Sequence, residues 1–137
     1  MLAQQHFPNE LTNGNLLRFD NGAHRQNTAL NFSRVIEINH QSKEIVCEYV
    51  DNPPHNFFSA YISGAQRLPN GNTLITEGAY GRIFEVTSEG EVVWEFVNPF
   101  FSKQNIPGGS AFVACGEQNS VFRAFCYAPE QIPWLKL

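Results

Sequence analysis

Basic residues are few and scattered in this sequence. Nine lysines and arginines stand against thirteen aspartates and glutamates, for a formal charge of −4 over 137 residues. No cationic stripe is present to meet a phosphate backbone, so no nucleic-acid partner is expected. Apolar runs are short, and none approaches the roughly 18 residues that a membrane helix needs; no membrane partner is expected. No charged segment leads into an apolar one at the N-terminus, so no signal peptide is visible and the compartment stays open. The three cysteines, Cys47, Cys115 and Cys126, show no CxxC spacing, which leaves neither a zinc framework nor a complete disulfide set. A single Cys115–Cys126 bond stays open, since spacing alone supports little. Asp20 and Asp51 lack the oxygen-ligand spacing of a calcium loop, so no metal is expected, and no cofactor either. Helical periodicity is nearly absent.

What the sequence does contain is one phrase said twice. The first copy runs Asn13-Gly14-Asn15-Leu16-Leu17, then Arg34-Val35-Ile36-Glu37-Ile38, then Glu44-Ile45-Val46-Cys47-Glu48-Tyr49-Val50. The second runs Asn70-Gly71-Asn72-Thr73-Leu74, then Arg82-Ile83-Phe84-Glu85-Val86, then Glu91-Val92-Val93-Trp94-Glu95-Phe96-Val97. Within each copy, apolar and polar residues alternate with the period of two that marks half-buried strands. The Asn-Gly pairs and Ser88-Glu89-Gly90 supply the positive φ angles of tight turns. Each copy therefore reads as a four-stranded antiparallel meander. The expected strands are Gln4–Leu11, Asn15–Asp20, Ser33–Asn39 and Glu44–Val50, then Phe58–Gln66, Thr73–Glu77, Arg82–Thr87 and Glu91–Val97. The stretch from Ala23 to Phe32 reads as a loop inserted in the first copy.

Arg34 recurs as Arg82, 48 residues on, and Glu44 as Glu91, 47 residues on. That period is close to the roughly 40–50 residues of a propeller blade. The expected fold is all-β: a partial β-propeller of two four-stranded antiparallel blades plus the start of a third. Residues 1–54 form the first blade and 55–101 the second; 102–137 hold a long loop and, at Val121–Tyr127, the inner strand of a third. Propellers close with about four to eight blades, so the sequence reads as part of a larger ring. Open sheet edges then invite self-association.

The wording of the repeats resembles a known family. Leu11-Thr12-Asn13-Gly14-Asn15-Leu16-Leu17-Arg18-Phe19-Asp20-Asn21-Gly22, the stretch from Phe57 to Thr87, and Val121-Phe122-Arg123-Ala124-Phe125-Cys126-Tyr127-Ala128-Pro129 are similar to bacterial arylsulfotransferases of the aryl-sulfate sulfotransferase type. Members of that family are longer six-bladed propellers, and this sequence resembles roughly their C-terminal half. The resemblance implies transfer of a sulfuryl group from an aryl sulfate ester to a phenol, through a sulfated histidine and without a nucleotide donor. The family's nucleophile lies in a Gln-His pair ahead of a Phe-Asp-Asn-Gly strand. Here Gln5-His6 precedes Phe19-Asp20-Asn21-Gly22, which puts His6 at the catalytic position. Arg25, three residues after Gly22, resembles the end of the family's Asn-Gly-x-x-Arg motif. The blades that carry the family's other active-site histidines and arginine are absent from this sequence, and Ile62 stands where some members have threonine.

The chemistry suits these residue types. A neutral imidazole is a competent nucleophile and a good leaving group, and fixed cations or N–H donors must meet the charge on the sulfuryl oxygens. Innermost propeller strands line the central channel, so Ser59, Ser63, Gln66 and Arg123 are expected to point there with His6. Arg25, Ser63 and Arg123 are the expected substrate-binding residues. The plainer readings stand beside these. His24 and His40 read as surface residues and His55 as part of the link between blades. Arg34, Arg82, Glu37 and Glu85 recur at equal positions and read as cross-strand pairs of the scaffold. Cys47 reads as a small core residue, and Trp94, Phe96 and Phe100 as packing between blades. Two functions follow. One is a section of an arylsulfotransferase, inactive alone; the other is a non-catalytic binding or scaffold propeller.

Overall fold

A computed structural model describes residues 4–26, 31–103 and 117–134. Strands β1 (Gln5–Glu10), β2 (Leu16–Asp20), β3 (Arg34–Ile38) and β4 (Ile45–Tyr49) form one antiparallel sheet in the order β1-β2-β3-β4. Strands β5 (Gly64–Arg67), β6 (Thr73–Glu77), β7 (Arg82–Val86) and β8 (Val92–Val97) form a second in the order β5-β6-β7-β8. A two-residue pair, β9 (Ser102–Lys103) with β10 (Glu117–Gln118), follows. The fold is all-β, as the alternating pattern implies.

Both sheets are built from the same local bonds. At the first turn Gly14 N–H donates to Leu11 O and Leu11 N–H to Asn15 O; at the second, Gly71 donates to Leu68 O and Leu68 to Asn72 O. Gly14 and Gly71 hold φ of 80° and 90°, which residues with a Cβ rarely adopt. A carboxylate then clamps each turn. Glu37 Oε1 accepts from Asn15 Nδ2 at 2.7 Å and Asn13 Nδ2 at 3.2 Å; Glu85 Oε1 accepts from Asn72 at 2.7 Å and Asn70 at 3.1 Å. At the opposite end of each sheet, an arginine on the third strand bridges two carboxylates. Arg34 joins Asp20 to Glu48, and Arg82 joins Glu77 to Glu95.

The core lies between the sheets. Leu17, Phe19, Val35 and Tyr49 from the first meet Ala65, Ile75, Phe84 and Val86 from the second. Phe57, fully buried ahead of β5, stands edge-on to Phe19 at 5.3 Å and to Phe84 at 5.5 Å between centroids. Edge-to-face rings add to the stabilisation that burial gives.

Three expectations change. The strand expected over Phe58–Gln66 begins at Gly64, because residues 57–63 turn around Ser59 instead of pairing. The Ser59 hydroxyl lies 2.6 Å from Tyr61 O and 2.8 Å from Ile62 O, and it accepts from Ala79 N–H at 3.1 Å. The segment Val121–Tyr127 forms no strand ladder. Side chains of the second sheet hold it instead: Thr76 Oγ1 accepts from Ala124 N–H at 3.1 Å, and Gln66 both accepts from Cys126 N–H at 2.8 Å and donates to its carbonyl at 2.9 Å. Trp94, Phe96 and Phe100 are exposed, at 49%, 43% and 79%, so no sheet covers them among the described residues. Cys47 is half-buried and Cys126 carries a free thiol; Cys115 lies outside the described residues.

Candidate functional site

The end of the sheets away from the Asn-Gly-Asn turns gathers the buried polar residues. Asp20, Asn21, Ser33, Ser59, Ser63 and Glu77 are each less than 5% exposed there. Buried polar groups need partners, and these find them in one another. Ser33 Oγ donates to Asn21 O at 2.9 Å and accepts from Ser59 N–H at 2.9 Å, while Ser33 N–H donates to Phe57 O at 2.7 Å. One serine thereby ties the end of β2 to the loop that leads into β5.

His6 enters this network from β1. It pairs with Phe19 on β2, so its side chain shares the face that looks toward the second sheet, diagonal to Asn21. Its Nδ1 lies 2.6 Å from Asn21 Oδ1. Asn21 is fully buried and donates from Nδ2 to Ser59 O at 2.6 Å and to Ser63 Oγ at 3.2 Å. The chain from His6 through Asn21 to Ser59 and Ser63 thus crosses from one sheet to the other.

Directly after His6 the ladder slips, and Phe7 takes φ of 50°, an uncommon angle for a residue with a side chain. Ile62, beside Ser63, is also left-handed at φ 37°. A β-branched residue there is strained, and such strain persists only where the surroundings enforce it. The Phe7 ring carries the Arg123 guanidinium 3.7 Å above its centroid, and Phe125 stands edge-on to Phe7 at 5.5 Å. Gly64 makes room for the arginine, since a Cβ at that position would lie 3.2 Å from Arg123 Cγ. Arg123 Nε is buried and has no hydrogen-bond partner among the described residues.

The expected site residues therefore divide. His6 and Ser63 are joined through Asn21, and Arg123 stacks on Phe7, the residue after His6. Ser63 is only 1% exposed and touches His6 through Asn21, so it supports the imidazole from behind. Arg25 is engaged elsewhere: its guanidinium pairs with Asp20 at 3.0 Å and lies over Phe32 at 4.0 Å. Burial lowers the Arg25 pKa, opposed by the Asp20 charge. Ser59 is buried and Gln66 is bonded to Cys126.

A separate cleft of about 420 Å³ is lined by Phe58, Tyr61, Tyr80, Phe101 and Gln118, and His6 does not line it. No cluster of histidine, cysteine, aspartate or glutamate among the described residues has the geometry of a metal site. No described helix is long and apolar enough to cross a membrane.

Asn21 and Phe7 escape a reading of the sequence alone. One signal was available for Asn21, because its counterpart 57 residues on is Gly78, and the residue that pairs at the place of His6 is Gly64. The pair is thus unique to the first copy.

No curated protein and no solved structure matches the chain. The arylsulfotransferase (ASST) family model, by contrast, spans residues 4–99, both four-stranded sheets included, and the chain belongs to that family.

Proposed function

We propose that the chain is a section of an arylsulfotransferase β-propeller in which His6 accepts the sulfuryl group. Residues 1–54 and 55–101 supply two blades, and 102–137 open a third. One observation carries the reading: His6 is held from behind by a buried, fully bonded asparagine, with the Arg123 cation stacked on the adjacent Phe7. Sulfuryl transfer needs a nucleophile fixed in place and a cation to meet the charge on the sulfuryl oxygens, and the cation held on the residue next to His6 supports that reading.

In the first half-reaction a ring nitrogen of neutral His6 forms an N–S bond as the S–O bond to the aryl group breaks. The phenolate leaves and takes a proton from solvent. In the second, the oxygen of an acceptor phenol attacks sulfur, the N–S bond breaks, and the phenol's proton is released. Arg123 meets the charge on the sulfuryl oxygens in both steps, as fixed cations do in phosphoryl transfer. The substrates are an aryl sulfate ester and a phenol. Two sheets do not close a ring, so turnover requires further blades, and the chain alone is expected to give none.

The test uses an assembly with a closed ring. Turnover of an aryl sulfate with a phenol acceptor is compared with that of His6→Ala. Loss of turnover in the variant supports the reading, and equal turnover by the two proteins removes His6 from the reaction.

A non-catalytic binding module is the second reading. The ion pair of Arg25 with Asp20 favours it, because that cation is already neutralised. Tight binding of an aryl sulfate by the closed assembly, without release of phenol, decides for this alternative.

A further inference from the structure

We infer that Asn21 is a positioning residue that holds His6 as the Nδ1–H tautomer, so that Nε2 is the nitrogen that attacks sulfur. The inference rests on the sulfohistidine reading above and specifies the atom that reading leaves open.

The Asn21 amide decides which nitrogen of His6 carries the proton. Its nitrogen and oxygen have opposite hydrogen-bonding roles, so its partners fix which way it points. Ser59 O, 2.6 Å away, is a carbonyl and can only accept. The amide nitrogen must therefore face Ser59, and a second N–H reaches Ser63 Oγ at 3.2 Å. That leaves Oδ1 toward His6 Nδ1, at 2.6 Å. An amide oxygen can only accept, so Nδ1 must carry the proton. A neutral imidazole has one N–H, and its lone pair is then on Nε2.

The alternative orientation is closed off. Flipping the amide would set its oxygen against the Ser59 carbonyl in a fully buried site, which costs that hydrogen bond and adds repulsion, although the Ser63 hydroxyl can bond either orientation. Ser33 prevents the two backbones from moving apart, since its hydroxyl bonds Asn21 O and Ser59 N–H together. The second sheet shows that this asparagine is no requirement of the scaffold. At its equivalent position, Gly78, a Cβ would lie 2.5 Å from Val121 O, and the place of His6, opposite Thr76 on β6, is taken by Gly64. The clamped turns and the arginine bridges occur in both sheets. The His6–Asn21 pair occurs in one.

The test reads the tautomer without any substrate. The chain is labelled with ¹⁵N-histidine, and long-range ¹⁵N–¹H spectra are recorded over a pH series, the neutral ring being identified by one pyrrole-like and one pyridine-like nitrogen. His6 is assigned by its loss in His6→Ala. The expected result is a protonated, pyrrole-like Nδ1 and an unprotonated, pyridine-like Nε2. In Asn21→Ala the proton is expected to move toward Nε2, the tautomer that a solvated histidine side chain prefers in water. A wild-type His6 protonated on Nε2 overturns the inference, even if His6 proves to be sulfated. The wild-type spectrum decides alone should Asn21→Ala fail to fold. An Nδ1–H tautomer in a closed assembly that never labels His6 instead counts against the sulfohistidine reading and leaves the positioning intact.

Discussion

Tyr49 and Glu77 show how single burials set the pH range of the fold. Tyr49 closes one edge of the core, and burial, aided by Asp51, pushes its phenol up to about 12. The unfolded chain releases this proton near the ordinary value of 10.0. Above that pH the native state binds more protons than the unfolded state, so stability falls as pH rises from about 10 through 12. Tyr49→Phe is expected to flatten this alkaline limb, read by urea titration at successive pH values. Glu77 behaves alike at the acid end. Burial raises its carboxyl above the ordinary 4.5, against a hydrogen bond from Phe58 N–H and the Arg82 charge. Stability contributed by the protonated form is full below 4.5 and is lost as pH climbs through the raised value. Glu77→Gln keeps an acceptor for Phe58 N–H and removes the titration. It is expected to abolish the downward slope in that window; an unchanged slope would assign it to another group. Asp20, its counterpart in the first sheet, is fully buried between Arg25 and Arg34. Removing one partner of a buried ion pair costs about 3–5 kcal/mol, and Asp20→Ala is expected to destabilise by that amount in the same titration.

At the scale of elements, the turns were legible and the long-range ties were not. Asn-Gly pairs signal tight turns through their φ angles, and alternation signals strands, so β2, β3, β4, β6, β7 and β8 lie within a residue or two of where the sequence puts them. The cross-strand role of Arg34 and Arg82 was legible too, because equal placement in two copies points to scaffold. The start of β5 was not, because it depends on the Ser59 hydroxyl taking carbonyls that would otherwise pair. Val121–Tyr127 is rich in aromatic and apolar residues, as strands are, yet strand identity requires a neighbouring ladder, which composition alone does not supply. Asn21 sits 15 residues from His6, and no local periodicity connects them. Phe57 links the two sheets, and its truncation leaves a cavity among Phe19, Tyr49 and Phe84. Phe57→Ala is expected to cost about 3–5 kcal/mol in thermal or urea unfolding. A cost below about 1 kcal/mol would mean that the sheets are held chiefly by other contacts.

At the scale of the molecule, the two sheets are unequally covered. On the first, Tyr49 lies on the face that meets its neighbour and is 9% exposed; at the matching position of the second, Phe96 is 43% exposed and Trp94 beside it 49%. Register places Trp94 and Phe96 on the same face as Leu74 and Ile83, away from the first sheet. Such a face favours association. The chain is expected to sediment with concentration-dependent mass, and Trp94→Lys with Phe96→Glu is expected to shift it toward monomer; a compact wild-type monomer at all concentrations would contradict this. The same incompleteness bears on the proposed chemistry, which has His6 and Arg123 on one side of a site and requires further blades to supply its other walls. The central claim is that His6 carries the sulfuryl group, and the measurement closest to it is mass spectrometry of the peptide containing His6. A closed assembly is treated with an aryl sulfate in the absence of acceptor and then quenched in alkali. An SO₃ adduct on His6, discharged by added phenol and missing in His6→Ala, is the predicted result. Phenol release with His6 unmodified, or an adduct on another residue, would contradict it.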